Sequence, residues 1–249
     1  MNQNLKKIIW IASYPKSGNT WLRAIISSML YTLEGKFNFE LLKLIPVFEN
    51  LYRYDFVKKL NSSDHKRIKD DIKFLSKYWI ESQKSLVFNT DINPIYNIFK
   101  THSANLTANN NNFTNSELTL GTIYIVRDPR EVVVSYSRFK GQAIDETIDF
   151  LSSKGAVLLP EKDLTLTLMS SWDVHFQSWK MLNVPKLLIK YEDLLNDTVN
   201  VIHSISSFLN ELLDLKKDFN YKIIDNIYQS THIEKFKKYE KNFGFNEAS

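Results

Sequence analysis

The 249-residue chain has no cysteine. This excludes a disulfide framework and thiolate zinc sites, and it fits a reducing compartment. Glycine and proline are sparse, six of each, and no internal repeat or low-complexity tract interrupts the chain. No apolar run approaches the length that crosses a bilayer. Lys6 and Lys7 precede an apolar run too short for a signal peptide, which ends in Tyr14-Pro15-Lys16. The expectation is therefore no export signal, no stable membrane insertion and a cytoplasmic location. Charge is not strongly of one sign either. A formal +4 suits an anionic ligand but is too weak to argue for nucleic acid.

What the chain does have is hydrophobic content of 43%, with 13% aromatic residues, enough for a large core. The pattern predicts a single α/β domain over residues 1–249, a central parallel sheet flanked by helices. Ile8 to Ala12 reads as a strand buried on both faces. From Trp21 the apolar residues Trp21, Leu22, Ile25, Ile26, Met29, Leu30 and Leu33 form a one-sided helical stripe that Gly35 can end. Between strand and helix lies a polar loop with Pro15, Lys16, Ser17, Gly18, Asn19 and Thr20. Backbone N–H groups at a helix start, with the positive end of the helix dipole behind them, attract phosphate or sulfate. Lys16 adds a full charge.

Further strands are expected at Ile95 to Phe99, ending in Lys100-Thr101-His102; at Thr122 to Val126, ending in Arg127; and at Lys186 to Lys190, ending in Tyr191-Glu192-Asp193. Ligands of open parallel sheets sit outside the carboxyl ends of the strands, so Lys100 and His102 should face the crevice of the first loop. Asp128 and Pro129 read as the cap and first turn of a helix. Arg127 and Ser135, eight apart, can converge on one anion if the arginine reaches over from the strand end. Residues 36–60 read as mostly aromatic core, with Pro46 interrupting any long helix. Residues 64–83 read as one surface helix with Ile68, Ile72, Leu75 and Trp79 inward. Residues 141–163 read as a cover over the site, Trp172 to Leu182 as a core helix, and Ile233 to Lys241 as a solvated helix face.

Three segments in order resemble the family of sulfotransferases that use 3′-phosphoadenosine 5′-phosphosulfate (PAPS). Tyr14-Pro15-Lys16-Ser17-Gly18-Asn19-Thr20-Trp21 is similar to the YPKSGTTW loop that holds the 5′-phosphosulfate. Lys100-Thr101-His102 resembles the segment bearing the general base. Arg127 through Ser135 resembles the motif whose arginine and serine bind the 3′-phosphate. Trp172 to Trp179 and Tyr191-Glu192-Asp193-Leu194 are similar to the W..H…W helix and the YEDL strand end.

The resemblance implies a P-loop nucleotide-kinase-like sulfotransferase fold and sulfuryl transfer from PAPS to a hydroxyl or amine of a small-molecule or glycan acceptor, releasing PAP. His102, Lys16 and Lys100 would be catalytic. Lys16, Ser17, Gly18, Asn19, Thr20, Trp21, Arg127, Ser135, Tyr191 and Thr231 would bind the donor. No metal is expected, because lysines and amides carry the charge, and a homodimer is possible for the family. Three departures stand out. Asn19 replaces a threonine, and Ile233 stands where an aromatic would stack after Thr231. The family's Arg-Lys-Gly segment has no counterpart before Ser249, which favours, as the alternative, a catalytically impaired binding protein of the same fold. A phosphate-loop kinase is the other alternative. It needs its lysine after the last glycine of the loop, whereas Lys16 precedes Gly18 and no glycine comes earlier.

Overall fold

In the computed structural model, which describes residues 6–58, 62–88 and 96–243, four parallel strands form the central sheet. These are β1 (Ile8–Ser13), β2 (Ile98–Thr101), β5 (Thr119–Val126) and β8 (Lys186–Lys190), in the order β2-β1-β5-β8. Two small antiparallel hairpins stand apart: β3 (Thr107–Ala108) with β4 (Asn111–Asn112), and β6 (Val157–Leu158) with β7 (Thr167–Leu168). Ile95, read as the opening of the second strand, and residues 244–249 lie outside the described residues.

Every residue of β1 is buried, because successive side chains of a central strand alternate between two covered faces. Ile9 and Ile11 point into a layer built with Leu22, Ile25 and Met29 of helix α1 (Asn19–Tyr31) and with Ile202, Ile205 and Ile227 from the C-terminal helices. Ile8, Trp10 and Ala12 point the other way, into an aromatic layer with Phe48, Phe99, Phe113 and Trp179. The Trp10 ring meets Phe48 edge-on at 4.9 Å, and its Nε1–H donates to Thr119 Oγ1 at 3.1 Å. The indole thus brings a large apolar area into the core without stranding its polar atom.

Some local expectations need correction. Helix α1 ends at Tyr31, so Leu33 is outside it and 90% exposed. The Lys217 ammonium donates to the carbonyls of Met29 and Thr32, capping the helix end from a distant segment. The stretch 64–83 is not one helix. It breaks at Asp71, whose carboxylate accepts from the amides of Lys73 and Phe74 and starts a new turn, although Ile68, Leu75 and Trp79 are buried as expected. The cover over 141–163 is the helix Ile144–Ser152 followed by β6. The helix Ile233–Phe243 is not merely solvated: Phe236 stacks on Phe37, and Tyr239 on Phe39 at 3.6 Å.

Candidate active site

The sheet brings the ends of β1, β2, β5 and β8 to one edge, and a cavity of about 680 Å³ opens there. Its walls include Lys16, Gly18, Asn19, Thr20 and Trp21 from the first loop, Lys100 and His102 from the end of β2, Arg127 and Ser135, and Tyr191. Most of the sequence-predicted residues therefore meet in one place, and Arg127 and Ser135 line the same cavity.

The loop is shaped by its backbone. Lys16 is left-handed at φ 64° and Gly18 lies at φ 94°. Gly18 precedes α1 and has no side chain to cap it, and the first turn holds no acidic residue. The amides that begin every helix are thereby left for an anion. A Cβ on Gly18 would fall 2.6 Å from Cδ2 of Tyr191, so the glycine serves both the φ angle and the close approach of that ring. Tyr191 stands beside Trp21, ring centres 6.3 Å apart, and beneath the Arg127 guanidinium at 4.5 Å. Arg127 also donates to the Lys16 carbonyl at 3.1 Å and pairs with Glu131 at 3.3 Å. The Asp128 amide donates to Glu192 at 3.0 Å, joining the ends of β5 and β8, and the Asp128 carboxylate caps the next helix (Pro129–Lys140) as expected.

Two predicted donor residues do not face the cavity. Thr231 is fully buried, and its hydroxyl donates back to the Ile227 carbonyl at 2.7 Å; Ile233 and Phe236 form the wall there. Ser17 is buried behind the loop. The Asn19 amide group turns toward β1, donating to Ser13 Oγ at 3.0 Å and the Ile11 carbonyl at 3.3 Å. The departure from threonine is accommodated by these bonds, which tie the loop to the strand. The residues present fit an anionic nucleotide: at the cavity wall, Trp21 Nε1 and Arg127 Nε are buried without a hydrogen-bond partner, an arrangement that proteins rarely leave unused.

His102 is half-buried at the cavity wall. Its Nδ1 lies 2.7 Å from the carbonyl oxygen of Ser13 and 3.3 Å from Ser13 Oγ. A carbonyl can only accept, so in the neutral ring the proton sits on Nδ1 and the lone pair on Nε2. Burial, with the Lys100 charge nearby, pushes the pKa of His102 well below the ordinary histidine value. The imidazole is therefore neutral, and competent to accept a proton, throughout the neutral range.

Two residues support His102: Glu49, which carried no separate signal in the sequence, and His175, the histidine of the W..H…W segment, which read as part of a core helix. His175 is fully buried, and its Nε2–H donates to the main-chain carbonyl of His102 at 3.1 Å, while its Nδ1 accepts from the Tyr124 hydroxyl at 2.8 Å. Glu49 is buried on the other flank, and its Oε1 accepts from Thr101 Oγ1, from Ser103 Oγ at 2.8 Å and from the Ser103 amide at 3.3 Å. The residues before and after His102 are thus held by one carboxylate and its own carbonyl by one imidazole.

Comparison with known proteins agrees with this geometry. The sulfotransferase-domain family model matches residues 6–245. The chain belongs to the sulfotransferase family. Relatives include luciferin sulfotransferase of Photinus pyralis, 29% identical over 214 residues, covering 84% of this chain and 52% of that protein. Flavonol 3-sulfotransferase of Flaveria bidentis is 26% identical over 241 residues, covering 94% and 66%. This sulfotransferase-family chain thus spans between about half and two thirds of the length of those relatives. Among solved structures, mouse sulfotransferase SULT7A1 complexed with PAP is similar with a TM-score of 0.54 and 20% identity, over 93% of this chain and 66% of that one. Retinol dehydratase in complex with androsterone and inactive cofactor PAP gives a TM-score of 0.55 at 19% identity, over 100% and 71%. These likenesses establish the shared fold.

Proposed function

We propose that the chain transfers the sulfuryl group of PAPS to a hydroxyl or amine of a small-molecule or glycan acceptor and releases PAP. The observation that carries this reading is the single cavity lined both by the Lys16–Trp21 loop and by His102. Solved proteins of similar fold were captured with PAP, and the curated relatives are named for sulfuryl transfer. When bound, PAPS supplies an activated sulfuryl group whose transfer builds charge on the departing phosphate oxygen.

The chain's own groups suit the work of positioning and charge stabilisation that such transfer needs. Nε2 of His102 takes the proton of the acceptor nucleophile. Lys16 and the amides of Ser17 to Thr20 stabilise the 5′-phosphate, and Lys100 stabilises the group in transfer. Arg127 and Ser135 hold the 3′-phosphate, and Trp21 with Tyr191 borders the base. Phe150, Val157, Leu158 and Leu164 line the same cavity and suit an acceptor with an apolar body.

The test is turnover of labelled PAPS against a panel of alcohols, phenols, sugars and amines, beside thermal shifts with PAP and with ATP plus magnesium. Turnover is expected, with stabilisation by PAP. Preference for ATP would overturn the reading in favour of a kinase. His102→Ala is expected to lower turnover by about 10²–10⁴ while leaving PAP binding intact; unchanged turnover would remove the base assignment.

A further inference from the structure

Beside the main cavity lies a pocket of about 330 Å³ lined by Lys16, Arg127, Glu131, Ser135, Arg138 and Phe139, with Val134. Glu131, Ser135 and Arg138 are spaced i, i+4 and i+7 on the Pro129–Lys140 helix, so they share one stripe of its surface. Arg127 and Arg138 face one carboxylate in this pocket, Glu131, which Arg127 already holds. The other basic residues of the helix have carboxylate partners, Arg130 with Asp128 and Lys140 with Glu161 at 3.2 Å. Arg138 has no carboxylate partner among the described residues and stands exposed one turn beyond Ser135.

We infer that Arg138 is a second guanidinium for the 3′-phosphate of the nucleotide, and that Glu131 is a built-in anion that releases Arg127 when the phosphate arrives. The inference rests on the donor reading above. A phosphate monoester carries close to two negative charges and three acceptor oxygens, more than Ser135 and one guanidinium satisfy. The Arg127 fork is partly engaged by the Lys16 carbonyl and its face by Tyr191. A second planar fork, Arg138, matches the remaining oxygens with geometry that a lysine would not reproduce. Glu131, with 61% of its side chain exposed, is free to swing into solvent, so its departure costs little more than one surface ion pair.

Calorimetric titration of the folded chain with PAP and with 5′-AMP, which lacks the 3′-phosphate, tests this. Arg138→Ala is expected to weaken PAP binding by about tenfold and to leave AMP binding within about twofold of the wild type. Arg138→Lys should fall between, and Glu131→Gln should tighten PAP selectively. Equal weakening of both nucleotides by Arg138→Ala, or no change in either, would overturn the role of Arg138. PAP binding unchanged in Glu131→Gln would overturn that of Glu131. A wild-type chain that does not distinguish PAP from AMP would instead remove the donor reading itself.

Discussion

His175 donates its Nε2–H to the carbonyl of His102, linking a residue of the core to the peptide of the proposed base. If that bond orients His102, its loss should appear in turnover and not only in stability. His175→Phe leaves the His102 carbonyl and the Tyr124 hydroxyl without this partner, at a cost of about 1–3 kcal/mol in denaturant unfolding. The expected kinetic signature is a fall in kcat with KM for the donor unchanged, because the Lys16 loop is untouched. His175→Gln, which can restore an N–H toward the carbonyl, should recover part of kcat. A variant that is only less stable, with normal kcat at a temperature where it is folded, would limit His175 to packing.

The same two histidines set the acid response. Burial lowers the pKa of His175 to about 4 and that of His102 well below the ordinary value. Each is neutral in the folded state at pH values where the unfolded chain binds a proton, near 6.5 and below. The unfolded state therefore binds more protons between about pH 6.5 and 4, and stability falls as pH drops through that window. The His175 contribution amounts to at most about 3 kcal/mol. Urea unfolding at pH 7 and at pH 4.5 should differ accordingly, and His175→Gln should reduce the difference. With His102 as the proposed base, turnover should hold down to a pH below 6.5. A rate that halves near 6.5 would contradict the half-buried, neutral imidazole.

Much of this site is legible in order along the chain because its parts are local. Ile8 to Ala12 is a continuous apolar run because both faces of β1 are covered, and the polar residues that follow are where the strand must leave the sheet. Asp128-Pro129 announces its helix by chemistry that needs no tertiary partner. What escapes the sequence is set by distant partners. His175 lies on an apolar stripe and reads as core until His102, 73 positions away, is seen to use its N–H. Glu49 has partners more than fifty positions on. The end of α1 is fixed by Lys217 and not by nearby Gly35. Thr231 illustrates the converse: a threonine expected at the nucleotide satisfies its hydroxyl one helical turn back. Only the break at Asp71 was available locally, as an acidic cap inside an otherwise periodic stretch.

Gly18 and Tyr191 make a second pair with a definite expectation. Gly18→Ala would place a methyl 2.6 Å from the tyrosine ring on a backbone at φ 94°, a conformation that costs about 1–3 kcal/mol for an L-residue. Loss of stability of that order is expected, with weakened PAP binding as Tyr191 is displaced. Adding Tyr191→Ala should recover the part due to the clash and none of the part due to φ. Full recovery in the double variant would mean that the backbone angle carries no cost, and additivity of the two losses would mean that the ring does not meet the new methyl.

Lys16 separates stability from activity most sharply. Its backbone is left-handed, which glycine adopts without penalty and lysine does not. Its ammonium lies 4.3 Å from the Phe139 ring centre, a contact worth about 0.5–1 kcal/mol at a partly exposed site. Lys16→Gly therefore exchanges one modest gain for one modest loss, and its unfolding free energy should stay within about 1 kcal/mol of the wild type. Lys16→Ala keeps the unfavourable angle and loses the contact, so it should be the less stable of the two. Turnover should follow neither trend. Both variants remove the cation from the leaving phosphate, and both should fall by about 10²–10³, the range for loss of one group that stabilises charge in the transition state. Parallel unfolding and turnover measurements decide the matter: a Lys16→Gly variant that retains turnover would show that the helix amides alone carry the charge, whereas one that unfolds readily would show that Lys16 is held for the fold.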